Sequence, residues 1–388
     1  MVLIPYGRQN IDQHDIDAVV EVLKSDFLTQ GPVVPRFESC VAQYCGSKYA
    51  VSTNSATSAL HLACLALGVG KGDIVWTTPL TFVASANCAL YCGANIDFVD
   101  IDPITLNISI AELKKKLFLA QQAGTLPKVV IPVHFTGSAC DMAAIHELSK
   151  QYDFKIIEDA SHAIGGSYKN EKIGSCRYSD ITVFSFHPVK IITCGEGGMA
   201  VCNSKDLAAR MELLRSHGIT RDESSMTHIP DGAWYYQQID LGFNYRMTEL
   251  QAALGLSQMQ RIDEFVARRN EIALRYDAAF HGKSLDLYMH PNKQHSSLHL
   301  YIVQLKLDEI SRSHKEIFDR MRERGIGVNL HYIPVHLHPY YSALGFRPGD
   351  FSVAEKYYRR AISLPIYYGL TDEQQVEVIN SLCGLLEK

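Results

Sequence analysis

Lys190 closes a stretch whose residue types and spacing suit a reactive site. Residues 180–199 read DITVFSFHPVKIITCGEGGM. The β-branched and aromatic run 181–186 reads as a buried strand that breaks at Pro188, reaches Lys190 and ends in a turn containing Gly195, Gly197 and Gly198. A lysine is thereby presented just past a strand end. Lysine forms imines with aldehydes as the neutral amine, so such a residue belongs in a partly desolvated pocket that lowers its pKa. Ser185, at the strand end, adds a hydroxyl suited to a phosphate. Pyridoxal phosphate, an aldehyde carrying a phosphate, fits both groups. A lysine alone carries little weight, because most of the 37 Lys and Arg must be solvated surface charges. Its neighbours single this one out.

The elements that must position Lys190 follow an alternating pattern. Strands are expected at 49–54, 73–79, 96–100, 128–134, 154–157 and 199–202. Helices are expected at 12–25, 35–44, 80–86, 110–120 and 206–215. This favours an open α/β sheet with function at the strand ends. Ser55, Ala56 and Thr57 lie at a strand-to-helix junction, where unpaired backbone N–H groups suit an anion, although plain capping by Ser55 or Thr57 reads the same. The strand near 154–157 runs into Glu158 and Asp159. Such a pair is ordinarily a solvated helix start, but a carboxylate there can hold a pyridine nitrogen protonated, and Asp159 is the choice. His162, three residues on, would share a helical face with it. A long helix from Ile262, a helix at 315–324 and strands at 300–305 and 326–332 make a smaller C-terminal unit.

Taken together, the spacing S-F-x-x-x-K-x-x-x-x-G-E-G-G, the segments NSATSAL at 54–60 and RSHGI at 215–219, and DLGFNYRMTEL at 240–250 resemble the sugar aminotransferases. These are pyridoxal 5'-phosphate enzymes that aminate nucleotide-linked keto sugars, and the resemblance runs from Tyr6 to about Pro365. It implies a fold-type I architecture: a large mixed-sheet α/β/α domain over 1–260, N-terminal arm included, and a smaller α/β domain over 261–388. It implies that Lys190 is catalytic, that Ala56, Thr57 and Ser185 hold the phosphate, and that Phe82 stacks on the pyridine ring, though a core phenylalanine would look the same. His162 would contact the ring oxygen, where relatives often carry Gln. Asn244 would reach the cofactor of a neighbouring subunit, which implies a homodimer with shared active sites. Tyr6, Asp26, Phe27, Leu28, Thr29, Ala56, Ser185, Asn329, Leu330, His331 and Tyr332 would border the substrate, although 329–332 could equally be an edge strand. Arg246 is assigned to the donor's carboxylate on chemistry alone, as a bidentate partner. The donor would be L-glutamate and the acceptor a UDP-linked 4-keto-6-deoxy-N-acetylhexosamine or another nucleotide-linked 4-keto sugar. Some relatives carry histidine in place of this lysine and are dehydratases; lysine at 190 favours amination, even with His187 nearby.

Composition narrows the partners. A chain of 388 residues with 47% apolar and 20% charged content can bury a large core, and its net charge of −5 offers no general attraction to nucleic acid or anionic membrane. No run of 18 or more apolar residues occurs and the start lacks a secretory pattern, so a cytoplasmic protein is expected. The ten cysteines form no C-x-x-C pair and read as small buried hydrophobes. No P-loop or strand-linked G-x-G-x-x-G is present. Two other classes stay open: a cofactor-binding regulator without turnover, and a zinc hydrolase built on His331, His336 and His338.

Overall fold

The computed structural model describes residues 3–288 and 295–387. Seven strands make the central sheet: β1 (Tyr49–Thr53), β2 (Ile74–Thr77), β3 (Asn95–Phe98), β4 (Val129–Ile131), β5 (Lys155–Asp159), β6 (Ile181–Ser185) and β7 (Gly198–Cys202). Their spatial order is β1-β7-β6-β5-β4-β2-β3. Neighbours from β6 through β5, β4 and β2 to β3 pair in parallel, whereas β7 runs antiparallel to both β1 and β6. The sheet is therefore mixed. Helices cover it on both faces, and β6 and β7 are buried along their whole length, so both read as continuous apolar runs rather than alternating ones.

A second sheet of β8 (Leu285–Leu287), β9 (Tyr301–Leu305) and β10 (Ala361–Leu364) is antiparallel throughout. The helices Ile262–Phe280, His314–Glu323 and Asp372–Leu386 pack on it around Tyr276, Tyr301, Ile317 and Val378. The N-terminal segment joins this unit rather than the large sheet. Ile4 donates to Gly325 O at 2.8 Å and accepts from Gly327 N at 2.7 Å, while Tyr6 O accepts from Ile366 N at 3.0 Å. A shared apolar layer of Leu80, Phe135, Tyr288, Leu300 and Tyr357 joins the two sheets.

Local chemistry explains several boundaries. The helix Gln13–Leu23 starts at a reciprocal cap between Asp12 and Asp15, and Glu249–Met259 starts at one between Thr248 and Gln251. Three expected elements differ. The helix after Pro79 begins at Ala84, not at 80; Thr81, in the turn ahead of it, pairs its hydroxyl with Ser85 Oγ at 2.7 Å. Phe82 therefore sits ahead of the helix. After Asp159 the chain makes turns over 161–165 instead of a helix, with Gly165 at φ +88°. The stretch 326–332 is not a strand; it makes only single bridges, Ile4 with Ile326 and Asn329 with Ser363, and Asn329 Oδ1 takes Leu330 N at 2.8 Å. All ten cysteines are free, seven of them buried. No described helix is long and apolar enough to cross a membrane.

Candidate active site

Lys190 sits on a closed loop at the C-terminal end of β6. Phe186 N donates to Gly197 O and Cys194 N to Phe186 O, both at 2.9 Å, and Lys190 N donates to His187 O at 2.9 Å. Gly195 supplies a left-handed turn at φ +78°. The loop aims Lys190 into a cavity of about 790 Å³ between the two sheets. The amine has no hydrogen-bond or ion-pair partner among the described residues. Burial lowers its pKa to about 8, against the opposing pull of the Asp159 charge.

One wall is the start of the helix Ala56–Ala66. Ser55 Oγ caps it by accepting from Ser58 N at 3.2 Å, which leaves the amides of Ala56 and Thr57 as first-turn donors facing the cavity. Capping and an anion cradle thus coexist. The approach depends on Gly198, where a Cβ would lie 2.4 Å from Ala56 N. Ser185, buried at the end of β6, lines the same corner.

Asp159 ends β5 and is 5% exposed. Its carboxylate accepts from Ser85 Oγ at 2.5 Å and from Ser161 N at 3.1 Å. The pair Glu158 and Asp159 is not a solvated helix start. Glu158 is buried against His134, whose Nδ1 accepts from Cys140 N at 3.2 Å, leaving Nε2 to donate the proton to Glu158 Oε2 at 2.6 Å. The turn after Asp159 brings His162 into the cavity, where Nε2 shares a hydrogen bond with Tyr332 OH at 3.1 Å. Burial and the nearby Lys190 push the His162 pKa well below the usual imidazole range, so the ring is neutral. Phe82 and Tyr332 lie with ring centres 6.0 Å apart, and Tyr6 and His331 at 5.2 Å. Burial and Lys190 push His331 down to about 3. Asn329 and Leu330 complete this side.

The cavity thus gathers Lys190, Ala56, Thr57, Phe82, Asp159, His162, Ser185, Tyr6, Asn329, Leu330, His331 and Tyr332. It does not include Asp26, Phe27, Leu28 or Thr29, all exposed, which lie beside Thr248 and Glu249; Glu249 N donates to Leu28 O at 3.0 Å. Nor does one chain bring in Asn244, exposed and bridged to Ser216, or Arg246. Residues not foreseen are Thr81, Ser85, Ser161, Glu196 and His299. His299 stands in the run LHLYIVQL, where a lone histidine reads as core, and only tertiary packing places its ring 4.4 Å from that of His162. The zinc reading has no support here: His331 Nδ1 pairs with Ser363 Oγ at 2.9 Å and His336 Nε2 with Glu355 Oε1 at 3.1 Å. Among the described residues no group of three or more His, Cys, Asp and Glu is placed to hold a metal.

These residues fit pyridoxal phosphate. The glycine-dependent cradle and Ser185 suit a phosphate, Asp159 suits a ring nitrogen, Lys190 suits an aldehyde, and His162 Nδ1 is buried beside them without a partner among the described residues. Fold and site together define an α/β enzyme built for amine exchange at a lysine. A model of the DegT/DnrJ/EryC1/StrS aminotransferase family matches residues 9–383, and the chain belongs to that family. It is a pyridoxal phosphate-dependent sugar aminotransferase. It is 38% identical over 389 residues to the UDP-4-amino-4,6-dideoxy-N-acetyl-beta-L-altrosamine transaminase of Campylobacter jejuni subsp. jejuni serotype O:23/36, covering 100% of this chain and 98% of that one. It superposes on Helicobacter pylori PseC, an aminotransferase involved in the biosynthesis of pseudoaminic acid, with a TM-score of 0.89 at 32% identity and 99% coverage of both chains. The putative sugar aminotransferase Spr1654 of Streptococcus pneumoniae, in its PMP-form, gives 0.89 at 30% identity and 98% coverage of both.

Proposed function

We propose that the protein transfers the amino group of L-glutamate to C4 of a UDP-linked 4-keto-6-deoxy-N-acetylhexosamine, giving UDP-4-amino-4,6-dideoxy-N-acetyl-β-L-altrosamine and 2-oxoglutarate. The observation that carries the reading is Lys190: a partly buried, unpaired amine with its pKa near 8, in a cavity with Asp159 and a phosphate cradle. The full-length similarity to the C. jejuni transaminase supports the choice of sugar.

Pyridoxal phosphate, when bound, supplies an aldehyde for amine exchange and a ring that accepts the electron pair freed beside the nitrogen. Lys190 Nζ would hold it and, once the donor's amine has taken its place, would accept the proton from the α carbon of glutamate. In the second half the same nitrogen returns a proton at C4 of the sugar. Asp159, fixed by Ser85 and the Ser161 amide, would keep the ring nitrogen protonated. Ser185 and the amides of Ala56 and Thr57 take the phosphate. Phe82 would cover the ring face, neutral His162 would meet the ring oxygen, and Tyr6 with Asn329, Leu330, His331 and Tyr332 would meet the sugar nucleotide.

One chain leaves this site short of positive charge. Lys190 is the only Lys or Arg among the described residues lining the cavity, against the acids Asp159 and Glu196, while cofactor, diphosphate and glutamate are all anionic. We infer a homodimer in which Asn244 and Arg246 of the second copy, with the segment Asp26, Phe27, Leu28 and Thr29 beside that interface, complete the site. The site then lies between the large unit, proposed over 1–260 but with its N-terminal arm at Ile4 and Tyr6 paired to the small one, and the small unit over 261–388.

The experiment is isotope transfer. Purified protein is given L-[15N]glutamate and the UDP-linked 4-keto sugar, and the sugar nucleotide is weighed by mass spectrometry. The label appears at C4 of the sugar on this reading. Label found only on a differently configured or GDP-linked sugar moves the substrate, and unlabelled sugar with every acceptor removes the proposed activity.

A further inference from the structure

Besides the large cavity, Lys190 lines a second, narrow chamber of about 10 Å³ whose wall includes Arg8, Asn10, Gln258, Arg269 and Tyr368. That volume holds one particle of solvent size. Three cationic residues line it and, among the described residues, no Asp or Glu does.

Arg269 is 1% exposed. Its guanidinium donates to three backbone carbonyls, Ile366 O at 2.9 Å and Leu298 O and His299 O at 3.3 Å, and pairs with no carboxylate among the described residues. Its Nε is buried without a hydrogen-bond partner among the described residues. Burial alone pushes its pKa down to about 10, so the group is still a cation at neutral pH. A buried charge held only by carbonyl dipoles is costly, and the missing partner is an anion. Arg8, exposed and free of ion pairs among the described residues, also lines the chamber. Arg8, Gln9 and Asn10 also line a solvent-facing groove of about 370 Å³, which gives small ions a way in.

We propose that this chamber binds one small monovalent anion, chloride in ordinary salt, between Arg269 and Arg8. A water molecule could satisfy Nε but leaves the charge unmatched. Because Lys190 forms part of the wall, the bound anion also favours positive charge on the nitrogen of Lys190.

The test is long-wavelength anomalous scattering from crystals of the holoenzyme grown in sodium chloride and, separately, in sodium gluconate, whose anion is too large to enter. An anomalous peak between Arg269 and Arg8 in chloride, absent in gluconate, is expected. Chloride line broadening in solution should show a site that Arg8→Gln weakens several-fold and Arg269→Met abolishes. Arg8 is exposed, so its variant keeps the test intact even where Arg269→Met fails to fold. A chamber holding only water in chloride crystals overturns the proposal, as does line broadening that Arg8→Gln leaves unchanged. These readouts do not depend on the aminotransferase reading. A second one does: replacing chloride by gluconate at constant ionic strength should lower the pH at which the visible band of the bound cofactor titrates. A peak without that shift supports the site and removes its coupling to Lys190.

Discussion

Ser85 Oγ lies 2.5 Å from Oδ2 of Asp159, joining the helix Ala84–Tyr91 to the end of β5 directly beneath the cavity that holds Lys190. The carboxylate is buried, and this contact with the Ser161 amide fixes its direction. An acid held so firmly is an orienting charge for a cofactor ring rather than a proton donor in transit.

Replacing Asp159 by Asn keeps the shape and removes the charge, so the variant should bind pyridoxal phosphate yet lose at least about a hundredfold in amine transfer, the range of a misplaced acid or base. Ser85→Ala should cost less, about ten- to a hundredfold, matching one hydrogen bond to a charged group at about 1.5–3 kcal/mol. Single-turnover rates with glutamate measure both. Equal, near-parental rates for the two would remove Asp159 from the mechanism.

Gly198 sets the distance between β7 and the phosphate cradle, since a Cβ there would stand 2.4 Å from Ala56 N and 2.5 Å from Ser55 O. Backbone on both sides leaves nothing flexible to yield. Gly198→Ala should weaken pyridoxal phosphate binding at least about tenfold, equivalent to about 1.4 kcal/mol, while the helix pattern in circular dichroism is unchanged. Unaltered cofactor affinity in an equilibrium titration would mean the cradle lies elsewhere.

Lys190 also predicts a stability effect. Its folded pKa of about 8 lies below the ordinary 10.5, because burial disfavours the cation. Between those values the unfolded chain binds more protons than the folded one, so the stability set by this residue is lowest below pH 8 and rises as pH climbs to 10.5. The full penalty is up to about 3 kcal/mol. Cofactor-free Lys190→Met should therefore resist urea better than the cofactor-free parent at neutral pH, with the gap closing in alkali. A less stable variant at neutral pH would show that the amine is solvated.

The shared site makes its own prediction. Lys190→Ala and Asn244→Ala proteins should each be nearly inactive, and mixing them under subunit exchange should restore up to about a quarter of parental activity, because half of the dimers are hybrids with one intact site. No recovery, in a mixture shown to exchange, would confine the whole site to one chain.

Much of this was readable from local sequence. Ser185 and Asp159 each end an apolar run and Lys190 lies just past one, and strand ends of an open α/β sheet are where ligands bind. The open α/β sheet followed from the alternation of strand and helix patterns, and its mixed character from the resemblance to the sugar aminotransferases. The rest depended on contacts far apart in the chain. Ser85 and His299 reach the site from 74 and 137 residues away from Asp159 and His162, with no periodic or motif signal of their own. The turn after Asp159 takes the place of the expected helix start: Gly165 adopts a left-handed conformation at φ +88°, and the distant Ser297 donates its hydroxyl to the carbonyl of His162 at 2.7 Å. For 326–332 the apolar alternation was real, but Asn329 folds its side chain onto its own backbone and bends the chain into the cavity.

The most direct measurement is the visible absorbance of the purified holoenzyme, taken through one full cycle. The account predicts a long-wavelength band from cofactor joined to Lys190, its loss on adding L-glutamate, and its return with the UDP-linked 4-keto-6-deoxy-N-acetylhexosamine; Lys190→Ala should lack the starting band. A parental band that glutamate leaves untouched, or an identical band in Lys190→Ala, would contradict it.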